Sequence, residues 1–217
     1  MDLIQSLIDF VLHIDQHLAR LASQYGTLTY LILFAIIFCE TGLVVTPILP
    51  GDSLLFAAGA IASLEGSGLN VMLLVVLLII AAFAGNLVNY AVGRYIGPKV
   101  FTKDYRFLKR AYLERTKNFF DKYGSMTIVY TRFAPILRTF APFIAGVGQM
   151  NYSRFLLYNF IGGFLWVVIF VYAGYFFGNV PFVKEHFESV VIGIILVSMI
   201  PAAYGFIKMR FGKKEVV

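Results

Sequence analysis

The sequence predicts an all-α integral membrane protein. It reads as two inverted repeats, each a re-entrant helical hairpin plus a transmembrane helix, with an N-terminal amphipathic helix and a C-terminal transmembrane helix. Three observations predict this. The 217 residues are 59% hydrophobic and 14% charged, with mean hydropathy +0.80, whereas soluble domains carry roughly 25% charged residues. Apolar stretches long enough to cross a bilayer alternate with shorter ones broken by Pro and Gly. Finally, LLFAAGAIA is similar to PFIAGVG, and each is followed by a span ending in a Gly-spaced string, AVGRYIG (91–97) or YAGYFFG (172–178). A hairpin plus one span makes an odd number of crossings, so consecutive units sit inverted, as in many secondary transporters.

Residues 1–25 place Leu3, Leu7, Val11, Ile14, Leu18 and Leu21 at helical spacing, with Asp2, Asp9, His13, Gln16 and Arg20 largely off that stripe. This is the pattern of an amphipathic helix lying in the interface. Asp2, Asp9 and Asp15 stand where a cleavable signal would be basic. His13 and His17 have zinc-compatible spacing, but no third ligand is evident nearby, so no metal or cofactor is expected.

Residues 29–64 form the first hairpin. The run from Thr29 to Val45 stops at TPILPGD, where Pro47 and Pro50 remove donors and Gly51 permits a reversal. The helix after it, Ser53 to Leu64, covers only about 18 Å, short of a ~30 Å hydrocarbon core. Irregular backbone at that depth survives only inside protein or beside a wet cavity, a place that also tolerates Glu40 and Asp52. Cys39, the single cysteine, allows no intramolecular disulfide and reads as a small buried hydrophobe.

Residues 71–97 give a full span of about 40 Å. Its Asn86 and Asn89 should face the bundle interior, and Gly93 and Gly97 offer a GxxxG packing surface. Residues 98–123 carry eight basic residues over an aromatic stripe of Phe101, Tyr105 and Tyr112. They read as a cytoplasmic surface segment on anionic lipid headgroups rather than a nucleic-acid patch. Residues 124–149 form the second hairpin, broken by Pro135 and Pro142, and hold Arg132 and Arg138 inside an apolar run. Residues 155–178 and 188–208 are the remaining spans, followed by a basic tail. With the 98–123 loop and the tail inside, the cytoplasmic side holds 14 of the 18 Lys and Arg, and the outer side only Arg20 and Lys184. That bias explains the net charge of +6 through the positive-inside rule.

Glu40, Asp52, Arg132 and Arg138 facing lipid would together cost about 10–14 kcal/mol at roughly 2.5–3.5 kcal/mol each, so they must converge or be hydrated. One reading is a midplane pocket. There Arg132 and Arg138 bind an anion, with phosphate the best match to paired guanidinium forks, and Glu40 and Asp52 carry protons. The competing reading is two buried ion pairs that lock the hairpins together. Asn86, Asn89, Pro50, Gly51, Pro135, Thr139 and Pro142 are candidates to support the pocket.

TRFAPILRTFAPFIAG, together with the upstream Glu and Pro-Gly-Asp, resembles the DedA family, whose shared region, the VTT or SNARE-associated domain, would cover roughly residues 30–180. The resemblance implies a multi-pass protein of the bacterial cytoplasmic (inner) membrane, and the charge count above puts its C-terminus in the cytoplasm. It implies two opposed re-entrant hairpins and proton-motive-force-dependent return of undecaprenyl phosphate, with Glu40, Asp52, Arg132 and Arg138 as the essential quartet. Other members are linked to phosphatidylethanolamine flipping, so a phospholipid flippase or scramblase is an alternative substrate reading. A proton-coupled cation antiporter would explain the acids but not the paired arginines. An enzyme is not expected: it would need a nucleophile such as His, Ser or Asp with an acid partner, and His13, His17 and His186 all lie outside the membrane core. The expected partners are a lipid phosphate, protons and anionic headgroups, with a homo-oligomer left open and no nucleic acid.

Overall fold

The computed structural model describes residues 26–43, 51–65, 67–100, 124–187 and 189–197. The amphipathic helix of 1–25, Pro47 and Pro50, the basic segment from 101 to 123, and the chain after 197 lie outside the described residues. Among the described residues the only regular structure is helical.

Two short helices come first. α1 (Leu28–Gly42) ends where Leu43 turns extended and donates its N–H back to the Cys39 carbonyl. α2 (Gly51–Ala62) is buried along Gly51 to Ile61, as expected of a helix apolar all round. α3 (Val71–Val100) starts at Asn70, whose side-chain oxygen accepts the N–H groups of Met72 and Leu73 at 2.9 and 3.1 Å. A short helix α4 (Thr127–Tyr130) and a 3₁₀ turn (Thr131–Phe133) lead to Ala134, which is extended at φ −122°. The proline ring at 135 disfavours the helical region for the residue before it, so the break falls at Ala134 and Pro135 opens α5 (Pro135–Val147). Asn151 caps α6 (Tyr152–Phe177), and α7 (Pro181–Glu185) precedes a helical stretch at 189–197.

Two expectations are corrected. Pro142 does not break the helix; it sits inside α5. A mid-helix proline forfeits one backbone hydrogen bond, and close packing of the surrounding helix holds the turn closed. Cys39 is exposed, not buried. It falls on the outward line Leu31–Ala35–Cys39 at i, i+4, i+8, opposite the inward line Leu33–Ile37–Glu40–Thr41.

Only α3 and α6 among the described helices are long and apolar enough to cross a membrane, each supplying a 26-residue candidate span. Their outward faces show Met72, Val76, Ile80, Leu157, Phe160 and Ile169, while Asn86, Asn89 and Asn159 are fully buried. Apolar outside and polar inside is the arrangement of a helix bundle in lipid.

The short helices divide between the two long ones. α1 and α5 pack on α3, α2 and α4 pack on α6, and α3 packs on α6. Glycines set the closest of these approaches. A Cβ on Gly59 would meet the Val171 carbonyl and one on Gly174 the Phe56 carbonyl, so α2 and α6 touch backbone to backbone. In the same way Gly93 faces the Phe143 carbonyl and Gly146 the Tyr90 carbonyl between α3 and α5. Gly174→Leu should therefore lower the melting temperature of the solubilised protein sharply, near the upper end of the ~1–3 kcal/mol typical of overpacking. Gly193→Leu, at a position open to space, should leave it unchanged. Thermal unfolding of the two variants side by side checks this.

Candidate functional site

The site is assembled from the ends of helices that stop inside the bundle. Glu40 is on the last turn of α1 and Asp52 on the first turn of α2, where the helix dipole favours a negative charge. Arg132 is in the 3₁₀ turn and Arg138 just inside α5. None of the four is more than 4% exposed.

Arg138 is the centre. Its Nη1 donates to Asp52 Oδ1 at 2.6 Å and its Nη2 to Glu40 Oε1, so one guanidinium joins the acids of two different helices. The Gly51 N–H also donates to Glu40 Oε1, at 3.2 Å. A Cβ on Gly51 would collide with the Glu40 carboxylate, which is why a glycine leads into Asp52. Trp166 of α6 donates its indole N–H to Asp52 Oδ1 at 2.7 Å and presents its ring 4.6 Å from the Arg138 guanidinium carbon. That distance suits a cation–π contact.

Arg132 is held differently. Among the described residues it makes no ion pair; its Nη2 donates to Asn159 Oδ1 at 2.5 Å and to the Ala82 carbonyl at 3.2 Å. Among the described residues its Nε and Nη1 have no acceptor, although the side chain is buried. The Trp166 ring lies 6.0 Å from its guanidinium carbon. Two arginines at a shared ring thus differ in kind: Arg138 bonds both carboxylates directly, whereas Arg132, among the described residues, bonds only neutral acceptors and keeps free donors, the four charges balancing as a group. The N–H groups of a buried guanidinium are strong donors for an oxyanion.

The supporting residues separate into two groups. Asn89 donates to the Thr41 carbonyl at 3.2 Å and to the Thr139 carbonyl at 2.7 Å, tying α1 and α5 to α3. Asn86 is linked to Arg132 through Asn159, donating to Asn159 Oδ1 at 3.0 Å. Thr139 and Pro142 are buried in α5, and Pro135 contributes the backbone break. Pro50 is outside the described residues.

Asn159, Gly162, Gly163 and Trp166 were missed by reading the sequence. They stand at i, i+3, i+4 and i+7 on α6, one face of a helix. Their signal was available in NFIGGFLW, which puts an amide, a Gly pair and the chain's only tryptophan in a single span.

Comparison with known proteins places the chain in a family. The VTT domain family matches residues 49–176. The chain is 55% identical over 211 residues to Protein DedA of Escherichia coli (strain K12), covering 97% of this chain and 96% of that protein. It is 44% identical over 168 residues to an uncharacterized membrane protein of Mycobacterium leprae, covering 77% and 74%. It is 31% identical over 206 residues to the inner membrane protein YqjA of Escherichia coli (strain K12), covering 94% and 92%. No solved structure matches the chain significantly. A buried quartet of charges in a bundle with an apolar exterior, a matching VTT domain and near-full-length relatives lead to one conclusion: the chain is a membrane protein of the DedA family.

Proposed function

We propose that the protein carries a lipid phosphate across the bacterial cytoplasmic membrane in a proton-dependent cycle, with undecaprenyl phosphate as the leading substrate. The observation that carries this is the unequal state of the two arginines. Arg132 offers N–H groups to an oxyanion from a buried position, and Arg138 is held in reserve by Glu40 and Asp52. Proton uptake by the two acids releases Arg138 to join Arg132 on the phosphate; proton loss returns it to the acids and weakens the clamp. The lipid tail stays in the bilayer, so only the headgroup enters.

The division of the short helices supports two inverted units. The second arm of each proposed hairpin, α2 or α5, rests on the long helix of the other unit, and the glycines at the seams belong to the recurring strings. In this reading the C-terminus and the 98–123 segment are cytoplasmic, with the segment on anionic headgroups. The same phosphate chemistry admits a phosphatidylethanolamine-type phospholipid as substrate. A cation antiporter fits less well, because both acids already hold Arg138.

Purified protein in proteoliposomes should move a labelled polyprenyl phosphate at a rate that rises with an imposed pH gradient. Glu40→Gln should keep binding but lose at least about tenfold of the gradient-driven rate, since one proton site is gone. Equal transfer of labelled phosphatidylethanolamine without a gradient would replace the lipid-phosphate reading with a scramblase.

A further inference from the structure

The two arginines come from different turns of the chain, yet both lie along one face of α6. Arg132 crosses the glycine pair: a Cβ on Gly163 would stand 3.4 Å from its Cζ and Nη2, and one on Gly162 would stand 3.3 Å from its Cδ. Arg138 lies over the ring of Trp166. A span that only packed would be filled as well by Leu or Phe. Trp166 instead puts an N–H on the same Asp52 oxygen that Arg138 uses, and its side chain is fully buried. Asp52 belongs to α2 and Arg138 to α5, so their alignment is set from a third helix. The charged groups gathered around the ring are Glu40, Asp52, Arg132 and Arg138.

We infer that Trp166 is a positioning residue of the charge site: its N–H orients Asp52 toward Arg138, and its ring gives the Arg138 guanidinium a seat that does not depend on the carboxylates. Asp52 thereby keeps its orientation through the cycle, and Arg138 stays beside the ring when it leaves the acids. A cation–π seat tolerates this exchange because the ring holds a cation whether or not an anion is also present. The transport arm of the test rests on the lipid-phosphate reading, while the spectroscopic arm stands without it.

Trp166 is the chain's only tryptophan, so its emission reports this one place. In ligand-free, full-length protein in detergent, Asp52→Asn and Arg138→Gln should each move the emission maximum, whereas Gly193→Ala should not. An unmoved maximum in both variants overturns the inference. For the role in transport, benzothienylalanine at 166 replaces the indole N–H with sulfur at nearly constant shape, and Trp166→Phe serves as a second variant. Each should fold with near-normal thermal stability and bind polyprenyl phosphate within about threefold of wild type. Each should transport it about tenfold or more slowly, the scale of one hydrogen bond to a charged group, with a displaced pH profile. Wild-type rate and pH profile in the sulfur variant overturn the inference, as does a rate that only tracks the amount of folded protein. If wild-type protein moves no lipid phosphate, the proposed substrate is wrong and the emission arm still decides on Trp166.

Discussion

Arg138→Ala is expected to destabilise the folded protein more than any other single substitution at the site. Removing it leaves Glu40 and Asp52 buried with their shared cation gone, and breaking a buried pair by deleting one partner costs roughly 3–5 kcal/mol. Trp166 and the Gly51 N–H still donate to the two acids, but neither supplies a positive charge. Thermal unfolding in detergent should show a large loss, with transport gone as well. The informative companion is Glu40→Gln, Asp52→Asn and Arg138→Met combined. That triple variant carries no uncompensated charge at these three positions, so it should recover much of the stability while remaining unable to transport. Arg138→Ala as stable as wild type would show that the two acids do not depend on it.

Arg132→Ala should cost ligand binding more than it costs stability. The lost hydrogen bonds run to neutral acceptors, Asn159 Oδ1 and the Ala82 carbonyl, and neither carboxylate loses a hydrogen-bond partner. Stability should therefore fall less than in Arg138→Ala, because no direct ion pair is broken, although the Arg138–Glu40–Asp52 group loses the second cation that balances its two carboxylates. Binding of the lipid phosphate should fall by at least about 100-fold, equivalent to about 2.7 kcal/mol, within the range of charge-assisted hydrogen bonds. Arg132→Lys should not restore it, because a lysine cannot bond Asn159 and still present a planar set of donors. Equilibrium binding of a polyprenyl phosphate to the solubilised variants measures this directly. Loss of stability with retained binding would reverse the roles given to the two arginines.

The long helices were legible because bilayer thickness is a fixed ruler and α3 and α6 exceed it. The break before α5 was legible in part: Pro135 acts through the backbone of Ala134, whereas Pro142, with the same side chain, is absorbed by a helix already held at Gly146 and Arg138. The convergence of charges could be argued from cost alone, but their pairing could not. Arg138 meets Asp52 and Glu40 across 86 and 98 residues of chain, and only the packing of three helices on α3 and α6 chooses one arginine for both acids. Asn159 escaped notice because a single amide in an apolar run has no distinctive spacing. Cys39 was misplaced by one face, because a helix in lipid gives an apolar side chain no reason to prefer the inside.

The glycine seams have a consequence for how such a molecule is put together. Two short helices, α2 and α5, meet through glycines a long helix from the other part of the chain, whereas Gly42 of α1 meets Gly85 of α3 within the first part. A chain ending at residue 100 would contain α2 without α6, and one starting at residue 124 would contain α5 without α3. Each piece keeps one short helix on its own long one, α1 on α3 or α4 on α6, but leaves the other without its glycine partner, and the charged centre exists only once both are in place.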